Sequence, residues 1–134
     1  MSEETRILIR SEYDIVTARQ QVRELCMTLH FSSGEQTLVA TCVSELARNI
    51  VEYAGSGEII TGLTRNTDEE GIVIIAEDKG PGIPNIELAM KDGYSTSKGL
   101  GLGLPGSKRI MDEFAIVSKT GKGTTVTVKK WKKP

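Results

Sequence analysis

Four groups of residues have the types and spacing to do chemistry. Glu45 and Asn49 stand at i and i+4 in SELARN (44–49), so on a helix they share one stripe, one turn apart. Asp78 closes a run of β-branched residues and is followed by Gly80 and Gly82. A carboxylate fixed there can accept a hydrogen bond from an exocyclic amine, and the glycines leave room for a flat ring to approach. Gly99, Gly101 and Gly103 alternate with leucines just ahead of a helix-like segment. Backbone N–H groups in such a loop, with a helix N-terminus behind them, suit a phosphate. Gly121-Lys122-Gly123-Thr124 opens the last apolar run, where the Thr124 hydroxyl can join the same pocket. Taken singly, each group also has a plain reading: a solvated helix face, a turn-capping aspartate, a flexible connection, a strand threonine. The glycine loop is not a P-loop, because no GK[ST] follows it. Nor is it a dinucleotide fingerprint, because loop rather than strand precedes it.

The surrounding pattern predicts the elements that position these groups. Residues 5–10 alternate as a short edge strand, and residues 13–29 have helical periodicity, with Ser11 or Asp14 available as a cap. After a break at Ser32-Ser33-Gly34, a second helix is predicted over 36–54, with Gly55 as its stop. At about 100° per residue, Val39, Val43, Leu46, Ala47, Ile50 and Ala54 fill its core side, and Thr41, Glu45, Arg48, Asn49 and Glu52 the opposite side. Strands are predicted over 57–65 and 71–77, the second reading as a buried central strand. A short helix over 85–92, a Gly/Ser/Thr-rich loop over 93–106 and helical periodicity over 104–114 follow. Strands over 115–119 and 124–130 close the chain. This order predicts an α+β fold, a two-layer sandwich with helices on one face of a mixed, mostly antiparallel sheet.

Composition narrows the function classes. The 134 residues are expected to form a single domain with one core. Seventeen Lys+Arg against 18 Asp+Glu leave a net charge of −1, which excludes a bulk basic footprint for DNA. No apolar stretch is long enough for a membrane span, and the first 20 residues lack a signal-peptide pattern. Cys26 and Cys42 fall in helical segments and His30 is the one histidine, which argues against a zinc site and for buried thiols in a cytoplasmic protein. Lys129, Lys130, Lys132 and Lys133 around Trp131 read as a frayed, solvated strand end.

In their chain order, Glu45-x-x-x-Asn49, Asp78-x-Gly80-x-Gly82, the 99–103 loop and Gly121-x-Gly123-Thr124 resemble the N, G1, G2 and G3 boxes of the GHKL ATPase/kinase superfamily, which has the Bergerat ATP-binding fold. The resemblance covers nearly the whole chain. The runs SELARNIVEYAG (44–55), AEDKGPGIP (76–84), DGYSTSKGLGLGLPGSKRIMDEF (92–114) and GKGTTV (121–126) are similar to those of the switch serine kinases of bacterial stressosome-type partner-switching modules.

That resemblance implies roles. Glu45 would be the general base, Asn49 the Mg²⁺ ligand and Asp78 the reader of the adenine amine, with Gly80 and Gly82 letting the base approach. Gly99, Gly101 and Gly103 would hold the phosphates within an ATP lid at about residues 85–106. Thr124 would lie near the adenine, and Lys98, by proximity, would add positive charge at the phosphates. The implied cofactors are ATP and Mg²⁺. The implied activity is phosphorylation of a Ser or Thr on a STAS-domain protein, a stressosome scaffold among the candidates, docking over the lid where Arg48 and Glu52 can touch it. Release of the kinase to a phosphatase or other effector would follow. The alternative is an anti-sigma factor of the same group, which sequesters a sigma subunit. Neither DNA nor a membrane is expected as a partner.

Overall fold

A computed structural model describes residues 1–83, 90 and 104–133. Strand β1 (Ser2–Ile9) leads into helices α1 (Glu12–Thr28) and α2 (Ser33–Asn49). A π-helical turn, Ile50–Ala54, continues α2. Strands β2 (Gly57–Arg65) and β3 (Glu70–Asp78), helix α3 (Leu104–Ile110), and strands β4 (Glu113–Lys119) and β5 (Gly123–Trp131) complete the described elements.

The five strands lie in the order β1-β2-β3-β5-β4. Every pairing is antiparallel, so the sheet among the described residues is not mixed. The cause is local: β2–β3 and β4–β5 are direct hairpins, and antiparallel strands need only a short turn. Alternation along each strand sorts residues onto two faces. Ile7, Ile59, Ala76, Val126 and Ile116 form one row straight across the sheet. That face meets Ile15, Ala18, Val22 and Cys26 of α1 and Val39, Val43, Leu46 and Ala47 of α2 in one core. Each Val, Leu or Ile side chain among these that is removed from water contributes about 1.5–3 kcal/mol. The adjacent row, two residues along, is Ile9, Gly57, Asp78, Thr124 and Ser118. Strand period alone thus sends Asp78 and Thr124 to the helix side, at the end of the sheet.

Several boundaries differ from the sequence expectation. Helix α2 starts at Ser33 rather than 36 because Ser32 makes a full capping box: its hydroxyl accepts from the Glu35 N–H at 3.1 Å, and the Glu35 carboxylate accepts from the Ser32 N–H at 3.0 Å. Ser32→Ala is therefore expected to lower unfolding stability by about 1 kcal/mol, read from a urea melt. The last turn of α2 widens to π geometry, with the Gly55 N–H donating to the Ile50 carbonyl at 2.9 Å and Gly55 at φ +84° ending it. Helix α3 is shorter than 104–114, since Phe114 already lies in β4, half-buried against the core. The basic C-terminal run is not a frayed end. Strand β5 extends to Trp131, and Lys130 is buried with Nζ donating to the Ile110 carbonyl at 3.0 Å, closing the C-terminus of α3. The expected helix over 85–92 falls mostly outside the described residues, and so does most of the expected lid. Among the described residues, no helix is long and apolar enough to cross a membrane.

Candidate functional site

The end of α2 and the Asp78 row of the sheet come together at one edge of the core. The π turn places Ile50 and Ala54 against the strand ends. A Cβ on Gly57 would meet Ile50 Cγ2 at 2.9 Å and Asp78 Cβ at 3.1 Å, and one on Gly80 would meet Ala54 Cβ at 2.6 Å. Both positions therefore require glycine for the helix end and the strand end to approach this closely. A π turn inside an α-helix is a recurrent device at functional sites, because it shifts the side chains beyond it off the α register.

Glu45 does not lie on a solvated face. It is 9 % exposed, and residues 42–47 are buried throughout. Its Oε1 accepts from Arg48 Nη1 at 2.8 Å, while Oε2 is buried with no hydrogen-bond partner among the described residues. Burial pushes the carboxyl above its ordinary range, the Arg48 guanidinium pulls it down, and Glu52 pushes it up again. Asn49, one turn on, is half-buried at the last α-helical residue. Ser44, beside Glu45, is buried and accepts from Arg19 Nε at 2.9 Å, tying α1 to this stretch of α2.

At the strand ends, Asp78 Oδ1 accepts from the Gly80 N–H at 2.9 Å, which leaves Oδ2 for another donor. Thr124 pairs with Asp78 across β3–β5, and its hydroxyl lies 2.8 Å from that of Ser118 on β4. The Ser118 hydroxyl also accepts from the Ile83 N–H at 2.7 Å, and the Gly121 N–H donates to the Pro81 carbonyl at 2.7 Å. The Asp78–Ile83 turn is thus stitched to the β4–β5 hairpin. Gly82, at φ +79°, and Gly123, at φ +108°, sit where these backbones touch.

Asp78, Gly80, Gly82 and Thr124 thus come together at the strand ends, and the π turn that continues α2 beyond Glu45 and Asn49 packs against them through Ile50 and Ala54. Lys98, Gly99, Gly101 and Gly103 lie outside the described residues. Helix α3, which follows them, packs on α2, with Ser107 against Cys42. Gly57 and Ser118 also lie at these strand ends, and the sequence reading missed them. Ser118 was legible as the next even position after Phe114 and Ile116, whereas Gly57 needed the β2–β3 register. Cys26 and Cys42 are free and buried, and burial pushes both thiols up to about 12, so neither is a nucleophile at neutral pH. Among the described residues, no three His, Cys, Asp or Glu side chains cluster as a metal site.

Comparison with known proteins decides the family. Residues 34–134 match the family of histidine kinase-, DNA gyrase B-, and HSP90-like ATPases. The chain belongs to this GHKL family. Serine/threonine-protein kinase RsbT of Bacillus subtilis (strain 168) is 48% identical over 131 residues, 98% of each chain. The Anti-sigma F factor of Clostridium kluyveri is 32% identical over 117 residues, 84% of this chain and 82% of that one. The crystal structure of the RsbU and RsbW domains of Rv1364c from Mycobacterium tuberculosis superposes with a TM-score of 0.66 at 18% identity. It covers 99% of this chain, which spans 34% of the Mycobacterium chain, and at that identity the likeness concerns the fold. The GHKL protein described here is thus a homologue of a serine/threonine-protein kinase and, more distantly, of anti-sigma factors of the same kinase group. Nucleotide use comes with that membership.

Proposed function

We propose that this GHKL protein is an ATP- and Mg²⁺-dependent serine/threonine kinase that phosphorylates a STAS-domain protein, a stressosome scaffold being the leading candidate, and thereby switches partners. Release from the phosphorylated partner would free it for a phosphatase or other effector. The observation that carries the reading is Glu45: a buried carboxylate, raised above its ordinary range, with one oxygen unpartnered and an amide one helical turn away. Perturbed acids of this kind are what general-base chemistry at neutral pH requires.

The residues present fit a Mg²⁺ ion. Mg²⁺ keeps several waters and phosphate oxygens and needs few protein ligands, so the half-buried Asn49 amide oxygen, one turn from Glu45, is a sufficient donor. Bound there with ATP, Mg²⁺ would neutralise charge on the phosphate oxygens as it develops. Asp78 Oδ2 would accept from the adenine amine, with Gly80 and Gly82 leaving space for the ring and Thr124 beside it. The 99–103 loop and Lys98 would attend the phosphates. Glu45 would take the proton of the attacking Ser or Thr hydroxyl.

The decisive experiment incubates the purified protein with Mg²⁺, γ-labelled ATP and STAS-domain proteins encoded nearby. Label on a serine or threonine of one of them is the expected result. Stoichiometric binding of a sigma subunit without transfer would move the weight to the anti-sigma reading, which relatives at 32% identity keep in view. In the same assay, Asn49→Ala should lose the Mg²⁺ dependence of ATP binding by calorimetry. Transfer by that variant at the parent's rate would remove the metal assignment.

A further inference from the structure

Glu45 and Arg48 are joined in a way that makes the two carboxylate oxygens unequal. Residues i and i+3 on a helix are neighbours, so Arg48 Nη1 reaches Glu45 Oε1 at 2.8 Å without leaving its own turn. The Arg48 side chain is only 26% exposed, so the guanidinium is partly held by its surroundings rather than waving in solvent. Oε2 has neither solvent nor a donor among the described residues. A buried oxygen left without a hydrogen bond costs stability, and in a native structure it calls for a reason.

We infer that Arg48 is a positioning residue for phosphoryl transfer: by holding Oε1 it fixes the orientation in which the Glu45 carboxylate meets the attacking group. The inference rests on the kinase reading. In the step it serves, the acceptor oxygen forms a bond to the γ-phosphorus and its O–H proton passes to the Glu45 carboxylate. The bond from the γ-phosphorus to the bridging oxygen breaks, and ADP leaves with that electron pair. The Glu45 proton is later lost to solvent. Without Arg48 the carboxyl can rotate or protonate, since burial and Glu52 both favour its neutral form. A base free to turn is correctly aimed in only part of its encounters, and small misplacements of a reacting group are expensive in rate.

The rival role for Arg48 is docking the protein substrate, and slow ATP hydrolysis separates the two because water needs the base but no docking surface. Arg48→Ala and Arg48→Lys should be compared with the parent for transfer to the STAS partner, for hydrolysis without it, for ATP affinity and for melting temperature. The expected result is a fall of about 10- to 100-fold in both reactions by the same factor for Arg48→Ala, with ATP affinity unchanged. Arg48→Lys should retain an intermediate rate, and added methylguanidinium should partly restore Arg48→Ala. Normal hydrolysis with a raised KM for the protein substrate would overturn the inference in favour of docking. Rate losses that track a fall in ATP affinity or melting temperature would overturn it in favour of a structural role. A parent that transfers phosphate to neither protein nor water would sink the kinase reading itself, and the role of Arg48 with it.

Discussion

Glu45→Gln is expected to abolish phosphoryl transfer while leaving ATP binding in place. Glutamine keeps the shape and still accepts from Arg48, but its amide cannot take a proton at neutral pH. The loss should be about 10²- to 10⁴-fold, the range that a positioned base supplies. ATP affinity should hold, because the carboxylate is assigned to the attacking group and not to the nucleotide's base or metal. A second consequence has the opposite sign. The folded-state carboxyl is raised above its ordinary value, so its contribution to stability is fully present below the unfolded value and is lost as pH rises through the folded one. Above the folded-state value the ionised side chain therefore costs the fold free energy, and the neutral Gln relieves that cost. The variant should melt no lower than the parent at pH 8, while at pH 4 any advantage disappears. An inactive protein that is as stable as its parent, or more so, is the signature of a residue kept for chemistry. A Glu45→Gln variant that transfers phosphate at more than a tenth of the parent rate would remove the base assignment.

Much of this arrangement was legible in the residues, for identifiable reasons. The i, i+4 spacing put Glu45 and Asn49 on one stripe of α2, and the β-branched run 72–75 marked β3 as central. Strand parity then placed Asp78 on the same face as Ile74 and Ala76. What the pattern could not supply were tertiary facts. A helical wheel calls Glu45 solvated because it knows only the helix's own residues, whereas the burial of 42–47 depends on the elements packed around α2. The π turn was hidden because Ile50–Ala54 keeps a helical composition and only the backbone hydrogen bond reaches one residue further. The capping box was legible, since Ser32 and Glu35 have the S-x-x-E spacing, but the serine pair and glycine between them read as a break. Lys130 looked like part of a polar tail, and a buried lysine that closes a helix 20 residues away has no local signal at all.

Asp78→Asn should separate recognition of the base from construction of the turn. On the proposed reading the two oxygens of Asp78 have different duties: Oδ1 accepts the Gly80 N–H at 2.9 Å, holding the Asx turn that starts the glycine segment, and Oδ2 would accept from the adenine amine. Alanine would remove both functions, and with Gly80 packed on Ala54 the turn and the end of α2 would shift together. Asparagine keeps one carbonyl oxygen for the Gly80 N–H and replaces the other oxygen with an NH₂ donor. The fold should therefore survive, with a melting temperature close to the parent's, while a donor now faces the donor of adenine. A hydrogen bond to a charged group contributes about 1.5–3 kcal/mol, so ATP affinity should fall by about 10- to 100-fold. GTP carries a carbonyl oxygen where ATP has its amine. The parent carboxylate repels that oxygen and the asparagine NH₂ attracts it, so GTP affinity should hold or rise and the ATP preference should collapse. Titrating both nucleotides into both proteins checks this directly. An ATP-to-GTP ratio that stays at the parent value in a well-folded Asp78→Asn protein would show that the base is read elsewhere, and Thr124 with its partner Ser118 would be the next residues to change.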